Sequence, residues 1–170
     1  MTRIHGIMLP AALAAALLAS GAALADTGHG KKSYTFGESG KAAEATRTVE
    51  VAADDRDGMR YSIDLGSIQQ GETIRFVVTN QGEGPHEFTI GDTASQRAHA
   101  KLMAKNPEMH HDDDPSAVTL QPGETKELVW KFSKPVQSEL VFACQMPGHY
   151  DGGMVHKAKL DKSAKKAKTS

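Results

Sequence analysis

The sequence contains a single cysteine, Cys144, among its 170 residues. One cysteine excludes an internal disulfide, and it also excludes the CxxC pairs that structural zinc sites commonly use. The formal net charge is −1, so nothing in the composition indicates a nucleic-acid partner. The chain also lacks an apolar run that is long enough to make a good membrane span. These absences leave a protein whose thiol needs another explanation than a disulfide.

The first 25 residues have the composition of a secretory signal peptide. Arg3 precedes an uncharged run of Ala and Leu, residues 9–24, which closes on the small-x-small pattern Ala-Leu-Ala. We therefore expect export to the periplasm, cleavage before Asp26 and no stable membrane insertion after cleavage. A buried N-terminal helix is the alternative.

Composition divides the rest of the chain into three segments. Residues 26–45 are small, polar and Gly-rich without a sustained period, which predicts a mobile or loosely docked leader. Residues 46–160 carry the regular patterns and form the predicted domain. Residues 161–170 end a Lys-rich segment and predict a solvated, frayed tail. Weak attraction of this tail to an acidic partner or a membrane surface is the alternative.

Alternating polarity in short stretches predicts half-buried β-strands. Ile74, Phe76 and Val78 share one parity in TIRFVVTN, and the same pattern recurs in MRYSIDL and ELVWKF. Turn signals such as Gln-Pro-Gly separate these stretches. Their number and spacing predict an all-β fold, a Greek-key β-sandwich of about seven or eight strands.

One segment has a helical pattern instead. In residues 93–106, Ala94, Ala98 and Leu102 recur at i, i+4 and i+8, and Pro107 prevents continuation. We therefore expect one helix inserted between two strands of the sandwich.

Four side chains that bind soft or borderline metals lie near predicted strand ends. Cys144 closes the strand ELVFAC on its inward parity, and His86 opens the strand HEFTIG on its inward parity. The stretch FACQMPGHYDGGM then presents His149 and Met154 on the loop that follows Cys144. One thiolate, two imidazoles and one thioether suit copper above other ions. A buried cysteine without a metal is the alternative, although an exported lone thiol is open to oxidation unless it is buried or metal-bound.

These motifs resemble the cupredoxin family, the small type 1 blue-copper proteins such as plastocyanin, pseudoazurin and azurin. GPHEF, followed about sixty residues later by a C-x4-H-x4-M motif, carries the resemblance, which covers residues 46–160. The intervening helix and Met/His/Asp-rich loop further resemble the periplasmic copper-tolerance branch of that family. The resemblance implies one type 1 copper per chain, with one axial and three equatorial ligands. The equatorial ligands would be His86, Cys144 and His149, and the axial ligand would be Met154.

The surroundings of these ligands depart from the better-known members of the family. Many cupredoxins have Asn directly after the first histidine, where this chain has Glu87. Pro85 precedes His86 as in plastocyanin-like members, so an azurin-like glycine carbonyl ligand is not expected. Outer-shell hydrogen bonds tune a metal site. With Glu87 at this position, the resemblance does not fix the reduction potential of the copper site. It also does not decide whether the colour of the site is blue or greener.

The loop around His149 is the expected route for electrons. We expect Pro147 in the outer shell of the copper site, and Met146 and Tyr150 flank His149 in sequence. An apolar patch there would be the docking face for a redox partner, while simple loop packing of Met146 and Tyr150 is the alternative.

A second group of ligand-type residues occupies 103–115. A polar solvated loop is one interpretation, and a weaker accessory copper loop is the other. The candidate ligands of that loop are Met103, Met109, His110 and His111. The sequence predicts no role for the remaining, isolated histidines: His29, His99 and His156.

The sequence thus predicts a periplasmic copper protein that cycles between Cu(II) and Cu(I), in copper tolerance and homeostasis, one-electron transfer, or both. A diffusible electron carrier with no role in tolerance is the alternative. The expected partners are a redox protein (a cytochrome or a copper protein) or free copper ions. We do not expect this protein to be an enzyme, because the chain has no His-Cys-His motif and only one predicted domain. A modest cuprous oxidase activity is the alternative to that expectation.

Overall fold

The structure is a computed structural model that describes residues 33–109, 111 and 113–162. The predicted signal peptide, His110 and the tail beyond residue 162 lie outside the described residues. Within the described part of the chain, no helix is both long enough and apolar enough to cross a membrane.

Two main β-sheets and one short pair of strands make up the domain. The strands are β1 (Glu38–Ser39), β2 (Arg47–Asp54), β3 (Arg60–Ile63), β4 (Ile68–Gln69), β5 (Thr73–Asn80), β6 (His86–Asp92), β7 (Ala117–Leu120), β8 (Thr125–Lys131), β9 (Leu140–Ala143), β10 (Val155–Ala158) and β11 (Leu160–Asp161). A five-stranded sheet has the order β1-β8-β5-β2-β3, and a four-stranded antiparallel sheet has the order β10-β9-β6-β7. Strands β11 and β4 form a parallel pair. The prediction of an all-β Greek-key sandwich is confirmed.

Aromatic side chains from both sheets meet in one core. Phe76 on β5, Phe88 on β6 and Phe142 on β9 are fully buried. Their ring centroids lie 5.4, 5.7 and 5.8 Å apart, within the range of favourable aromatic pairs. Ile74 and Val78 are buried beside Phe76, as the alternation in β5 predicted. This core holds the two sheets together beneath the end that carries the predicted metal ligands.

The inserted helix is present as α1, Thr93–Met103. Asp92 caps it, because its side chain accepts a hydrogen bond from the Ser95 N–H and the Ser95 hydroxyl bonds back. The helix ends three residues before the predicted boundary at residue 106. The N–H groups of Lys105 and Asn106 both bond to the Leu102 carbonyl, which tightens the chain into a turn before the proline.

Strand β6 is buried on both faces, because α1 covers the face that points away from the core. Gln96 on the helix donates to the Val141 carbonyl at 3.0 Å and to the Thr89 hydroxyl at 2.9 Å. A Cβ on Gly91 would lie 2.5 Å from the Ser95 Oγ, so glycine lets the helix approach the strand closely. Residues of opposite parity in β6 are therefore both buried, which simple alternation did not predict.

The second half of the predicted leader is packed on the domain. Phe36 is 2% exposed and stacks on Trp130, with ring centroids 5.3 Å apart. Tyr34 contacts both rings and donates a hydrogen bond to Asp114 at 2.8 Å. Strand β1 then pairs with β8. The ordered domain therefore includes residues 33–45 rather than beginning at residue 46, because two aromatic side chains anchor this segment.

Strand register brings the predicted ligands to one end of the four-stranded sheet. Ala143 on β9 pairs with Thr89 on β6 and with Val155 on β10. Cys144 directly follows Ala143, and Met154 directly precedes Val155, so these two residues lie side by side. Because β6 and β9 are antiparallel, the chain after Ala143 runs back along the start of β6.

Candidate metal centre

Three predicted ligands converge at this end of the sandwich. Cys144 Sγ lies 3.3 Å from His149 Nδ1, and His86 Nδ1 lies 3.2 Å from the same atom. His86 and Cys144 are fully buried, and His149 is partly buried. Metal bonds of about 2.0–2.3 Å place neighbouring ligand atoms about 3–4 Å apart. The three atoms are thus spaced as ligands of a single ion.

Met154 belongs to the same cluster. It is fully buried and packs with Cys144 and Ala53 in a small apolar group. Its carbonyl accepts a hydrogen bond from the Cys144 N–H at 3.1 Å, and its N–H donates to the His149 carbonyl at 2.9 Å. These two bonds close the loop, so the thioether and the thiol are held on adjacent backbone.

The loop geometry depends on two glycines. The His149 N–H bonds to the Met146 carbonyl at 3.0 Å, which makes a tight turn across Gly148, whose φ is +86°. A Cβ on Gly152 would lie 2.8 Å from the Met59 Cγ. A side chain at either position would therefore displace the loop that presents His149.

His86 is positioned by Asp55, for which the sequence predicted no role. The Asp55 carboxylate accepts hydrogen bonds from the backbone N–H groups of Glu83 at 2.8 Å and Gly84 at 2.9 Å, just before the histidine. Its Oδ2 lies 3.4 Å from His86 Nε2. This is an electrostatic contact rather than a hydrogen bond, since Nε2 has no hydrogen-bond partner among the described residues. Asp55 precedes His86 by 31 positions, and no spacing rule links the two residues.

Burial sets the protonation of the three converging groups. It raises the pKa of the Cys144 thiol to about 12, although the backbone N–H groups of Glu87 and Met146 act in the opposite direction. Burial lowers the pKa of both His86 and His149, and the proximity of His149 lowers the pKa of His86 further. The imidazoles are therefore neutral and available as ligands near pH 7. The thiol has to lose its proton when a metal binds.

Glu87 connects this cluster to a second one. Its backbone N–H donates to Cys144 Sγ at 3.3 Å, while its carboxylate accepts the Gln145 N–H at 3.1 Å. The same carboxylate is hydrogen-bonded to His111 Nε2 and to His99 Nε2, the latter at 3.3 Å. Burial raises the pKa of Glu87, but the bonds from both histidines outweigh it and lower the pKa to about 2. Glu87 is therefore a buried, ionised carboxylate that is hydrogen-bonded to His99, His111 and the Gln145 N–H.

This arrangement gives His99 a partner that the sequence did not predict. His99 was assigned no role, because it is isolated in sequence from the other ligand-type residues. Alternation along β6 is the one sequence feature that indicates such a contact, since it places Glu87 on the face opposite to His86 and Phe88. The helix that carries His99 covers that face.

The residues of the predicted accessory loop are placed differently from one another. Met103 is fully buried at the end of α1, whereas Met109 is partly exposed. His111 contacts Glu87, and His110 lies outside the described residues. His111 therefore has a different partner from those that the accessory-loop hypothesis gave it.

The remaining predicted outer residues lie at the surface side of the cluster. Met146 packs partly buried against the Cys144–Met154 group, and Tyr150 is partly buried next to His149. Pro85 and Pro147 are exposed. His149 is thus the ligand-type residue nearest to solvent in the three-residue cluster.

Comparisons with known proteins point to one family. The copper-resistant cuproprotein CopI of Rubrivivax gelatinosus is 41% identical over 162 residues, covering 89% of this chain and 95% of that protein. CopI of Pseudomonas aeruginosa is 34% identical over 177 residues, covering 87% and 93%. No family model matches the chain.

Solved structures agree on the fold. Auracyanin from Roseiflexus castenholzii has a TM-score of 0.54 at 24% identity, covering 69% of this chain and 98% of that one. Auracyanin A, a blue copper protein from Chloroflexus aurantiacus, has a TM-score of 0.52 at 17% identity, covering 67% and 98%.

The sandwich, with a Cys-His-His cluster at one end, defines the cupredoxin class, and the predicted resemblance to it is confirmed. Within that class, the chain belongs to the family of copper-resistant cuproproteins named CopI. The donor set fits copper, because a thiolate, two imidazoles and a thioether favour this ion over Mg²⁺, Ca²⁺ or a structural zinc.

Proposed function

We propose that this chain is a periplasmic type 1 copper protein that binds one copper ion at this cluster and contributes to copper tolerance. The observation that supports it best is the convergence of Cys144, His86 and His149, with Met154 packed beside the thiol. The relatives that it matches are named for copper resistance, which favours this role over that of a classical enzyme.

The chemistry that copper supplies at such a site is the uptake and release of one electron between Cu(II) and Cu(I). The protein's part is to keep the ligands in one arrangement. Asp55 holds the turn before His86, and the Glu87 N–H holds the sulfur of Cys144. The hydrogen bonds between Met154 and its loop partners fix the remaining two ligands. Little rearrangement is then needed when the electron moves.

The partly exposed face around His149 supports a role in electron transfer. Met146 and Tyr150 flank this histidine in sequence and are partly buried, and Pro147 on the same loop is exposed. We assign this patch to docking of a redox protein, a cytochrome or a second copper protein. In the tolerance role, free copper ions take the place of that partner.

A deletion strain grown on graded copper tests the tolerance role. We expect the deletion strain to be more sensitive to copper. The full-length gene should restore copper tolerance, and the gene for the Cys144→Ser variant should not. Equal expression of the two proteins in the exported fraction is the control. Unchanged copper sensitivity of the deletion strain would rule out a role in tolerance and leave the diffusible carrier as the function.

A further inference from the structure

A second group of metal-binding side chains lies on the other side of Glu87. The Nε2 or Nδ1 atoms of His99 and His111 and a carboxylate oxygen of Glu87 all lie within 4.8 Å of one another. His99 Nε2 is 3.3 Å from Glu87 Oε2, and His111 Nε2 contacts Glu87 Oε1. The two imidazole rings are 4.5 Å apart between centroids. The spacing is comparable to that of the His86–Cys144–His149 cluster.

Three separate elements bring these side chains together. Glu87 projects from β6 toward α1, His99 projects from the middle of α1, and His111 comes from the segment after the helix. The side chains of Glu87, His111 and His99 are 0%, 5% and 18% exposed. The site is therefore closed on the side of the strand and open to solvent beside His99, which gives an ion a way in.

The ligand types select a class of ion. Two imidazoles and one carboxylate suit divalent ions of borderline softness, and copper(II) binds such sites more tightly than the other first-row divalent ions. No sulfur atom belongs to this group, so copper(I) is not favoured. The Gln145 N–H holds Glu87 Oε2 at 3.1 Å, an outer hydrogen bond that orients the carboxylate.

We propose that Glu87, His99 and His111 form a second metal site that binds copper(II), separate from the cluster around Cys144. The proposal goes beyond the electron-transfer and tolerance roles and does not depend on either. It also differs from the accessory copper loop, because His99 belongs only to this site, whereas His110 and Met109 belong only to the loop. The competing interpretation is a hydrogen-bonded network without a metal.

Counting copper ions in the full-length mature protein tests the site. The protein is dialysed to equilibrium against copper(II) with a competing chelator, and copper per chain is measured by mass spectrometry and by paramagnetic resonance. We expect two ions per chain. One should give the narrow hyperfine splitting of a thiolate-bound copper, and the other the wide splitting of copper(II) with nitrogen and oxygen ligands.

The His99→Gln variant separates a metal site from a network. Glutamine keeps an N–H donor for Glu87 but does not replace imidazole as a ligand. We expect this variant, and His99→Ala, to bind one ion and to lose the wide-splitting signal. The absorption band of the Cys144 cluster should be retained, which shows that both variants are folded.

Two histidines outside the site are controls. His156→Ala and His110→Ala should each keep both ions. A wild-type protein that binds one copper ion would overturn the proposal, as would a second ion that survives in both His99 variants. Loss of the second ion in His110→Ala, but not in His99→Gln, would assign it to the accessory loop instead.

Discussion

Asp55 provides the most detailed test of how the protein holds His86, the first of the two proposed histidine ligands. The Asp55→Ala variant removes the acceptor for two backbone N–H groups, at 2.8 and 2.9 Å, and the charge 3.4 Å from His86 Nε2. Hydrogen bonds to charged groups contribute about 1.5–3 kcal/mol each, and water replaces part of this at the exposed Glu83 N–H. We therefore expect a loss of about 2 kcal/mol in the free energy of unfolding.

The larger effect should be on copper binding. Outer partners of a metal-binding histidine typically change metal affinity by about 10–100-fold, or about 1.4–2.7 kcal/mol. Competition titration with a copper chelator measures this change in the dissociation constant. Asp57→Ala is the matched control, because that side chain is 88% exposed and lies two residues away. Equal copper affinity in wild type, Asp55→Ala and Asp57→Ala would refute the assignment of Asp55 as the residue that positions His86.

Two further predictions concern the proposed axial ligand and the N-terminal segment. Met154→Leu should retain copper but change the reduction potential, because an axial thioether tunes the site rather than anchors it; loss of copper measured alongside voltammetry would show that Met154 is an essential anchor. Phe36→Ala should lower the free energy of unfolding in urea by about 3 kcal/mol, since a fully buried aromatic ring is removed. Glu38→Ala, at an exposed position, should change it by less than about 0.5 kcal/mol. A loss below about 1 kcal/mol for Phe36→Ala would contradict the packing of residues 33–45 on Trp130.

Local patterns in the sequence were sufficient for the eight strands of four or more residues and for the residues that converge in the main cluster. Phe76 and Trp130 are buried where alternation placed them, because one face of each strand packs against the opposite sheet. His86, Cys144 and His149 are brought together because two of them lie at strand ends and the third follows on a short loop. In each case the physical rule acts within a few residues or across neighbouring strands.

Contacts between distant segments were not predictable in the same way. Glu87 meets His99 and His111 only because α1 covers the second face of β6, and no period in the sequence encodes that packing. Asp55 reaches the turn before His86 from the end of another strand. The docking of residues 33–45 did have a weak signal, since Tyr34 and Phe36 share one parity, but two residues are too few to define a strand by alternation.

The visible absorption and paramagnetic resonance spectra of the copper-loaded protein test the central claim most directly. We predict an intense thiolate-to-copper band and one thiolate-bound copper per chain in the wild type, and neither feature in Cys144→Ser. A visible band that survives in Cys144→Ser, or its absence from the copper-loaded wild type, would contradict the assignment of His86, Cys144 and His149 as the ligands of a type 1 copper.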